Sequence, residues 1–264
     1  MLVLIRGAGD LASGIALRLY RCGYQVAMTD LAQPTAIRRT VSFSQAIWDG
    51  QAQVEGVQGI MASNAEEALA LMNQGHIPVL ADPEGACIPE LKPGAVVDAV
   101  LAKRNMGTSK EMAPVVIGVG PGFTAGVDCH AVVETQRGHN LGRVYEQGSA
   151  APDTGVPGNI GGYSRERVLR APCSGIFQGM RQIGDLVNQG DVVATVDGRP
   201  MTCLIGGVLR GLLPSGISVT EGMKSGDVDP RGVRENCFTV SDKARAVGGG
   251  VLEALLRLER GVKQ

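Results

Sequence analysis

Apolar and polar positions over residues 1–100 alternate between two periods. Residues 2–6, LVLIR, form a short apolar run that breaks at Gly7. Leu11, Ile15, Leu19 and Cys22 then recur at helical spacing, and Gly23 stops the pattern. Residues 24–30, YQVAMTD, read as a second strand, so the chain opens strand, helix, strand. Residues 57–61 read as a strand, and residues 64–74 as a helix with an Asn or Ser cap, closed by Gly75. Residues 77–81 and 96–100 are strands whose unbroken apolarity fits burial in a parallel sheet. Residues 115–119 form another apolar run, ending in Gly120-Pro121-Gly122-Phe123. Residues 129–135 and 141–147 read as a hairpin about Arg137-Gly138-His139-Asn140. Residues 148–162, rich in Gly, Pro and small side chains, read as a long connection and a domain boundary.

Beyond that connection the chain repeats itself. Gly175, Gly184, Val187 and Gly190 recur, offset by 32, as Gly207, Gly216, Val219 and Gly222. Self-similarity at a fixed offset marks two copies of one supersecondary unit, here strand, turn, strand. The pattern resembles the biotinyl/lipoyl-type barrel-sandwich hybrid, with Ala171-Pro172-x-x-Gly175 as its opening. A carrier version holds a modifiable lysine at the hairpin between the halves. Residues 195–203, TVDGRPMTC, contain none, which leaves a docking or structural module. Residues 241–258 read as a helix capped by Ser241, with Gly248-Gly249-Gly250 inside it. Three interior glycines cost about 2–3 kcal/mol relative to alanine. Such a run implies close backbone approach to another element or a ligand, or a break between two short helices. The expected architecture is α/β: a Rossmann-like domain over 1–110, a glycine-rich strand and hairpin region with linker over 111–165, a barrel-sandwich hybrid over 166–232 and a C-terminal helical segment over 233–264.

Composition narrows the function. The chain has 264 residues, enough to bury a real core. Its 25 Lys+Arg against 26 Asp+Glu argue against a nucleic-acid binder, which needs a basic stripe. No run of 18 apolar residues predicts a membrane span. Arg6 and Asp10 interrupt the stretch a secretory leader would need, so a cytoplasmic location is expected. Gly is 38 of 264 and aromatics are 3%, which predicts tight turns and a core of small aliphatic side chains. The six cysteines form no CxxC pair and are expected to be reduced. His76, His130 and His139 stand in no zinc-binding spacing, so no metal site is expected.

The candidate chemistry lies mostly at turns. Gly7-x-Gly9-x4-Gly14 departs from G-x-G-x-x-G, its third glycine coming two residues late. Gly7 and Gly9 suit a tight turn that lets phosphate approach a helix N-terminus, with Asp10 as its N-cap. Asp30 ends the second strand where a ribose-binding acid belongs. Against this, Asp10 puts an anion where a pyrophosphate would sit. The unit reads either as a dinucleotide site or as a turn that binds nothing. Asp98 lies at a strand end, where ligands bind in open α/β sheets. Lys103 and Asn105 follow it, and the loop of Gly120 and Gly122 is suited to present N–H groups to an anion. Arg137 and His139 make the hairpin turn either an anion contact or a solvated loop. Lys103 and His139 are the proton donors an oxidoreductase would have to use. Cys129, with Cys173 and Cys203, is the candidate for thiol chemistry.

Longer blocks carry a resemblance. They are residues 7–14, GAGDLASG; Pro34 with Ile37-Arg38-Arg39; residues 54–57, VEGV; and Asp98-x4-Lys103-x-Asn105-x-Gly107-Thr108. Residues 118–123, Glu134-Thr135-x-Arg137-Gly138-His139-x-Leu141-Gly142-Arg143, residues 226–231 and residues 241–245 complete the set. On these blocks the chain resembles, nearly end to end, the YqeB-like family of selenium-dependent molybdenum hydroxylase system proteins. The resemblance implies an accessory role in maturing molybdenum hydroxylases that carry a labile selenium, with the hydroxylase as partner. It transfers no catalytic residues. The expected small-molecule partner is a nucleotide-bearing ligand, NAD(P) or molybdopterin cytosine dinucleotide. The alternatives are an NAD(P)-dependent oxidoreductase and a non-enzymatic docking scaffold.

Overall fold

The computed structural model describes residues 1–261. The chain forms two compact units. One comprises Met1–Pro34, Ser42–Thr154 and Val240–Gln264; the other comprises Thr35–Val41 and Gly155–Thr239.

The first unit is built on one nine-stranded sheet. Strand β1 (Leu2–Arg6) leads through helix α1 (Asp10–Arg21) to β2 (Gln25–Thr29). A short helix α2 (Gln45–Asp49) precedes the hairpin of β3 (Gln51–Val54) and β4 (Val57–Ala62). Helix α3 (Ala65–Asn73), β5 (Ile77–Leu80), the single turn α4 (Ile88–Leu91) and β6 (Ala95–Asp98) follow. Then come β7 (Val115–Val119), β8 (Ala131–Val133) and β9 (Val144–Tyr145). The strand order is β3-β4-β5-β2-β1-β6-β7-β8-β9. The seven inner strands run parallel, and β3 and β9 are antiparallel edges. Strands β5, β6 and β7 are buried at every position, as their unbroken apolar runs require.

Local chemistry explains the helices. Asn64 caps α3 by accepting the Glu67 N–H at 2.9 Å. Gly75 and Gly23 follow their helices in left-handed backbone. The C-terminal helix α5 (Asp242–Glu259) runs unbroken through Gly248-Gly249-Gly250, capped by Ser241. It packs on α1 at the glycines: a Cβ on Gly248 would lie 3.0 Å from the Gly14 carbonyl oxygen.

The second unit holds two four-stranded antiparallel sheets. Its strands are β10 (Val168–Arg170), β11 (Gly175–Gly179), β12 (Leu186–Val187), β13 (Val192–Val196), β14 (Arg199–Thr202), β15 (Gly207–Leu212), β16 (Ser218–Val219) and β17 (Lys224–Asp229). One sheet is ordered β10-β17-β15-β12 and the other β14-β13-β11-β16. The internal repeat is visible as an exchange: Gly175 pairs with Val219, and Gly207 pairs with Val187. Residues 35–41 join this unit through the Leu212 N–H, which donates to the Ile37 carbonyl at 2.8 Å.

A charged network lies inside the second unit. The pairing of β15 with β17 slips between Leu209 and Gly211, leaving Arg210 as the extra residue of a bulge. Its guanidinium reaches Asp227 Oδ2 (Nε, 2.8 Å) and Asp229 Oδ2 (Nη1, 3.2 Å). Arg167 donates to the other Asp227 oxygen, and Arg231 Nε donates to Asp229 Oδ1 at 2.9 Å.

The fold expected from the sequence is corrected. A Rossmann-like domain closed at residue 110 and followed by a biotinyl-like barrel is not what the chain forms; it is a mixed α/β protein with a nine-stranded sheet. Beyond residue 110 the sheet continues, because β7 and β8 extend it in parallel register, Val97 opposite Ile117 and Gly118 opposite Val132. The C-terminal helix belongs to that same unit. The repeated strands fall into two separate sheets, each of which takes strands from both halves of the repeat.

Candidate functional site

At the carboxyl end of β1 the sheet diverges. Strands β2, β5, β4 and β3 lie on one side and β6 to β9 on the other. In open α/β sheets this reversal opens a crevice beyond the strand ends. The residues there come from the β1–α1 turn, the end of β2 and the loops after β6 and β7.

The β1–α1 turn is tightly made. Gly7 has φ +93°, its N–H donates to the Thr29 carbonyl at 2.8 Å, and a Cβ there would lie 2.7 Å from the Ala99 carbonyl oxygen. Only glycine fits. The Ala8 N–H donates to Asp30 Oδ2 and the Leu31 N–H to Asp30 Oδ1, both at 2.8 Å. Burial pushes the Asp30 carboxyl up, against the pull of these two bonds. Asp30 therefore ties the turn to the end of β2. The Ala8 carbonyl accepts from Ser13 Oγ at 3.1 Å and from the Ser44 N–H at 2.9 Å. Gly9 differs: it is the N-cap of α1 with φ −69°, and a Cβ there would meet nothing within 4 Å.

Two expectations at this turn change. Asp10 is not the N-cap; it is the first helical residue, because Gly9 already occupies the cap position, with no side-chain cap bond. Gly14 is not part of a phosphate turn. It lies one turn into α1 on the face against α5, where a Cβ would stand 2.7 Å from the Ala244 Cβ.

At the ends of β1 and β6 lies a buried ion pair. Arg6 ends β1 and Asp98 ends β6, directly opposite in register. Both are fully sequestered, at 2% and 1% exposure. Arg6 Nη1 donates to Thr108 Oγ1 at 2.5 Å and lies 3.4 Å from Asp98 Oδ2, and Thr108 Oγ1 donates to Asp98 Oδ2 at 2.5 Å. Arg6 Nη2 donates to the carbonyls of Pro83 (3.1 Å) and Met106 (3.4 Å). Asn105 brackets the same loop, accepting the Thr108 N–H at 2.7 Å and donating to the Thr108 carbonyl at 2.8 Å.

The remaining candidates divide. Gly120 and Gly122 have φ +84° and +110° and serve close packing: a Cβ on Gly120 would lie 2.8 Å from Thr135 Oγ1, and one on Gly122 2.6 Å from the Arg104 Cα. The Gly120 N–H is engaged by the Val133 carbonyl at 2.8 Å, so it does not face an anion. Lys103 is exposed, with Nζ 2.7 Å from Asp153 Oδ2. Arg137 grips Asp242, the first residue of α5, through both oxygens at 2.7 and 2.9 Å. His139 is exposed on the β8–β9 connection. Glu134 is buried and accepts three backbone N–H groups, of Thr135, Gln136 and Ala151.

Three buried thiols offer little nucleophilic chemistry. Cys129 is fully buried, and burial pushes its thiol up to about 11. Burial likewise raises Cys203 to about 11 and, aided by Asp82, Cys87 to about 12. A thiol held this high is protonated at neutral pH. All six cysteines are free, and among the described residues no group of three His, Cys, Asp or Glu side chains could hold a metal ion.

The structure thus brings Gly7, Gly9, Asp10, Asp30, Asp98, Lys103, Asn105, Gly120 and Gly122 to the carboxyl edge of the sheet. It sends Gly14 and Arg137 to α5 and Cys129 to the core. Sequence reasoning missed Arg6 as the anchor of the site. The available signal was a cation closing a fully apolar strand, but its partner Asp98 lies 92 residues away.

No protein-family model matches the chain. It is 54% identical over 263 residues to the uncharacterized protein YqeB of Escherichia coli strain K12, a match that takes in 99% of this chain and 49% of that protein. The chain therefore spans about half the length of this curated relative. Among solved structures, an aspartoacylase family protein from Mesorhizobium loti aligns at 13% identity and TM-score 0.28, covering 86% of this chain and 84% of that one. A succinylglutamate desuccinylase/aspartoacylase from Rhodobacter sphaeroides aligns at 14% identity and TM-score 0.26, with the same coverage of each chain. Among the described residues no helix is long and apolar enough to cross a membrane.

Proposed function

We propose that this chain is an accessory factor in the maturation of selenium-dependent molybdenum hydroxylases, and that it binds a nucleotide-bearing ligand at the carboxyl edge of its nine-stranded sheet. The observation that carries the binding is the β1–α1 turn. Gly7 and Asp30 hold it rigid, while Gly9 faces open space at the N-terminus of a 12-residue helix. The first N–H groups of such a helix lack intrahelical acceptors and favour phosphate. The residue blocks shared with the YqeB-like family support the accessory role, and NAD(P) and molybdopterin cytosine dinucleotide are the candidate ligands.

Native mass spectrometry with NAD, NADP, CTP and molybdopterin cytosine dinucleotide tests the reading. Gly9→Val puts a side chain into the open space, since a Cβ there would meet nothing within 4 Å and the backbone angles suit any L-residue. A bound mass on the native chain that disappears in Gly9→Val is expected. Cells lacking the protein are expected to make hydroxylase without its selenium. No bound mass with any ligand, together with normally selenated hydroxylase in those cells, overturns the proposal.

A further inference from the structure

Strand β8 does not close on β7 by backbone alone. Ile117, Gly118 and Val119 stand opposite Ala131, Val132 and Val133 in parallel register. One step earlier the pairing ends on Val116 and His130. The His130 N–H donates to the Val116 carbonyl at 2.8 Å, and the Val116 N–H donates to the His130 ring at Nδ1, 2.9 Å away. An imidazole nitrogen thus stands where a β ladder ordinarily supplies a carbonyl oxygen. Only a ring nitrogen without a proton accepts, so this bond requires the neutral imidazole with its hydrogen on Nε2. Val116 is fully buried, and its N–H has no water to turn to.

This bond closes a small structure. Residues 124–129 form a compact turn. The Thr124 N–H donates to Asp128 Oδ2 at 2.7 Å, the Asp128 N–H returns to the Thr124 carbonyl at 2.9 Å, and the Gly126 N–H donates to the Cys129 carbonyl at 2.8 Å. Phe123, Ala125 and Cys129 are buried in the same core as Val116, whereas Val127 is 68% exposed. The turn is tied to its surroundings by the Ala125 N–H on the Gly148 carbonyl and by Lys110 Nζ on the Gly126 carbonyl, both at 2.7 Å, and by His130 on Val116. Of these ties, only the His130 ring changes its hydrogen-bonding sense in mild acid.

The charged groups acting on the ring are Lys110 and Glu111, of the helical turn Lys110–Met112 beside β7. Asp128 is directed onto the Thr124 N–H. Burial, and after it the Lys110 ammonium, push the imidazole below its ordinary value, against the pull of the Val116 backbone and the Glu111 carboxylate. A histidine lowered on folding contributes stability that is complete above its unfolded value of about 6.5 and is lost as pH falls through the folded value. We infer that His130 is an acid-operated latch. Neutral, it holds the 124–129 turn on β7. Protonated, it carries hydrogen on both nitrogens, leaves the buried Val116 N–H without an acceptor, and lets the turn lift so that Cys129 meets solvent. The latch is independent of the nucleotide-binding reading.

Two readouts on the full chain test it. Histidine NMR is expected to show His130 as the Nε2–H tautomer at about pH 7.5, with a titration midpoint below about 6.5. Labelling with dithiodipyridine, read by peptide mass spectrometry and scaled to a free thiol at each pH, is expected to modify Cys129 about tenfold faster at about pH 5 than at about pH 7.5. Cys203, buried in the second unit, reports opening of the whole chain and is expected to stay protected at both. His130→Asn offers an amide oxygen that accepts but does not titrate, and is expected to keep Cys129 protected in acid. His130→Ala has no acceptor and is expected to expose Cys129 at both values. Labelling of Cys129 that stays flat while His130 titrates overturns the latch, and so does acid-dependent labelling that persists in His130→Asn. A midpoint at or above about 6.5, or the Nδ1–H tautomer, overturns it as well. Cys129 and Cys203 rising together mark acid unfolding of the whole chain and also overturn it. Should His130→Asn fail to fold, the two readouts on the native chain decide.

Discussion

Gly7 and Gly9 stand two residues apart in one turn and answer to different constraints. Gly7 is bound by φ +93° and by the Ala99 carbonyl, which a Cβ would approach to 2.7 Å. Gly9 has ordinary backbone angles and open space. Gly7→Ala is therefore expected to destabilise the fold by about 2–4 kcal/mol, whereas Gly9→Ala changes stability by less than about 1 kcal/mol. Denaturant unfolding followed by circular dichroism measures both, and equal losses would contradict this assignment of roles. The sequence shows two glycines in a strand-to-helix turn and does not distinguish them, because the atom that excludes a side chain at Gly7 belongs to a residue more than 90 positions away. Arg6 makes the same point about charge. Its identity is plain in the sequence, but its burial and its bonds to Asp98 and Thr108 exist only once β6 lies beside β1.

At the scale of elements, α5 shows how three adjacent glycines divide their work. Gly248 approaches the Gly14 carbonyl of α1, and Gly250 abuts Gly142 and Val133 of the β8–β9 region, where a Cβ would lie 2.8 Å from the Val133 Cγ1. Gly249 meets nothing within 4 Å. Gly249→Ala removes a helix-interior glycine without a clash and is expected to stabilise by about 1 kcal/mol. Gly250→Ala is expected to destabilise by about 1–3 kcal/mol as the helix is forced off its neighbours. Thermal melts of the two single variants should move in opposite directions; a shared direction would refute the packing described. Strands were legible where apolarity was unbroken, as in β1, β5, β6 and β7. The edge strand β3, QAQV, carries no such run and exists because it pairs with β4 across the Glu55-Gly56 turn.

Across the whole molecule buried charge is met by paired charge, as at Arg6 and Asp98 in the first unit and in the second unit, where Arg167, Arg210 and Arg231 converge on Asp227 and Asp229. Burial alone would raise the Asp229 carboxyl, but the bonds from Arg231 and the charge of Arg210 hold it below the usual carboxylate range. A carboxyl depressed in the folded state contributes stability that is complete above its unfolded value of about 3.9 and is lost as pH falls through the lower folded value. Asp229→Asn is therefore expected to cost about 3 kcal/mol at neutral pH and to flatten the fall in stability below about pH 4. Denaturant titrations from pH 7 to pH 3 on both chains check the sign: an acid limb unchanged in the variant would exclude Asp229 as its source. The period of apolar residues, the turn glycines and the 32-residue repeat were determined by the sequence alone, because helix spacing, left-handed turns and self-similarity are properties of neighbouring positions. The architecture was not. The pairing of β7 and β8 into the first sheet, the return of α5 to α1 and the division of the repeat between two sheets depend on contacts between distant residues. The same holds for the candidate site, whose anchoring Arg6 and open Gly9 acquire those properties only from what the fold places beside them.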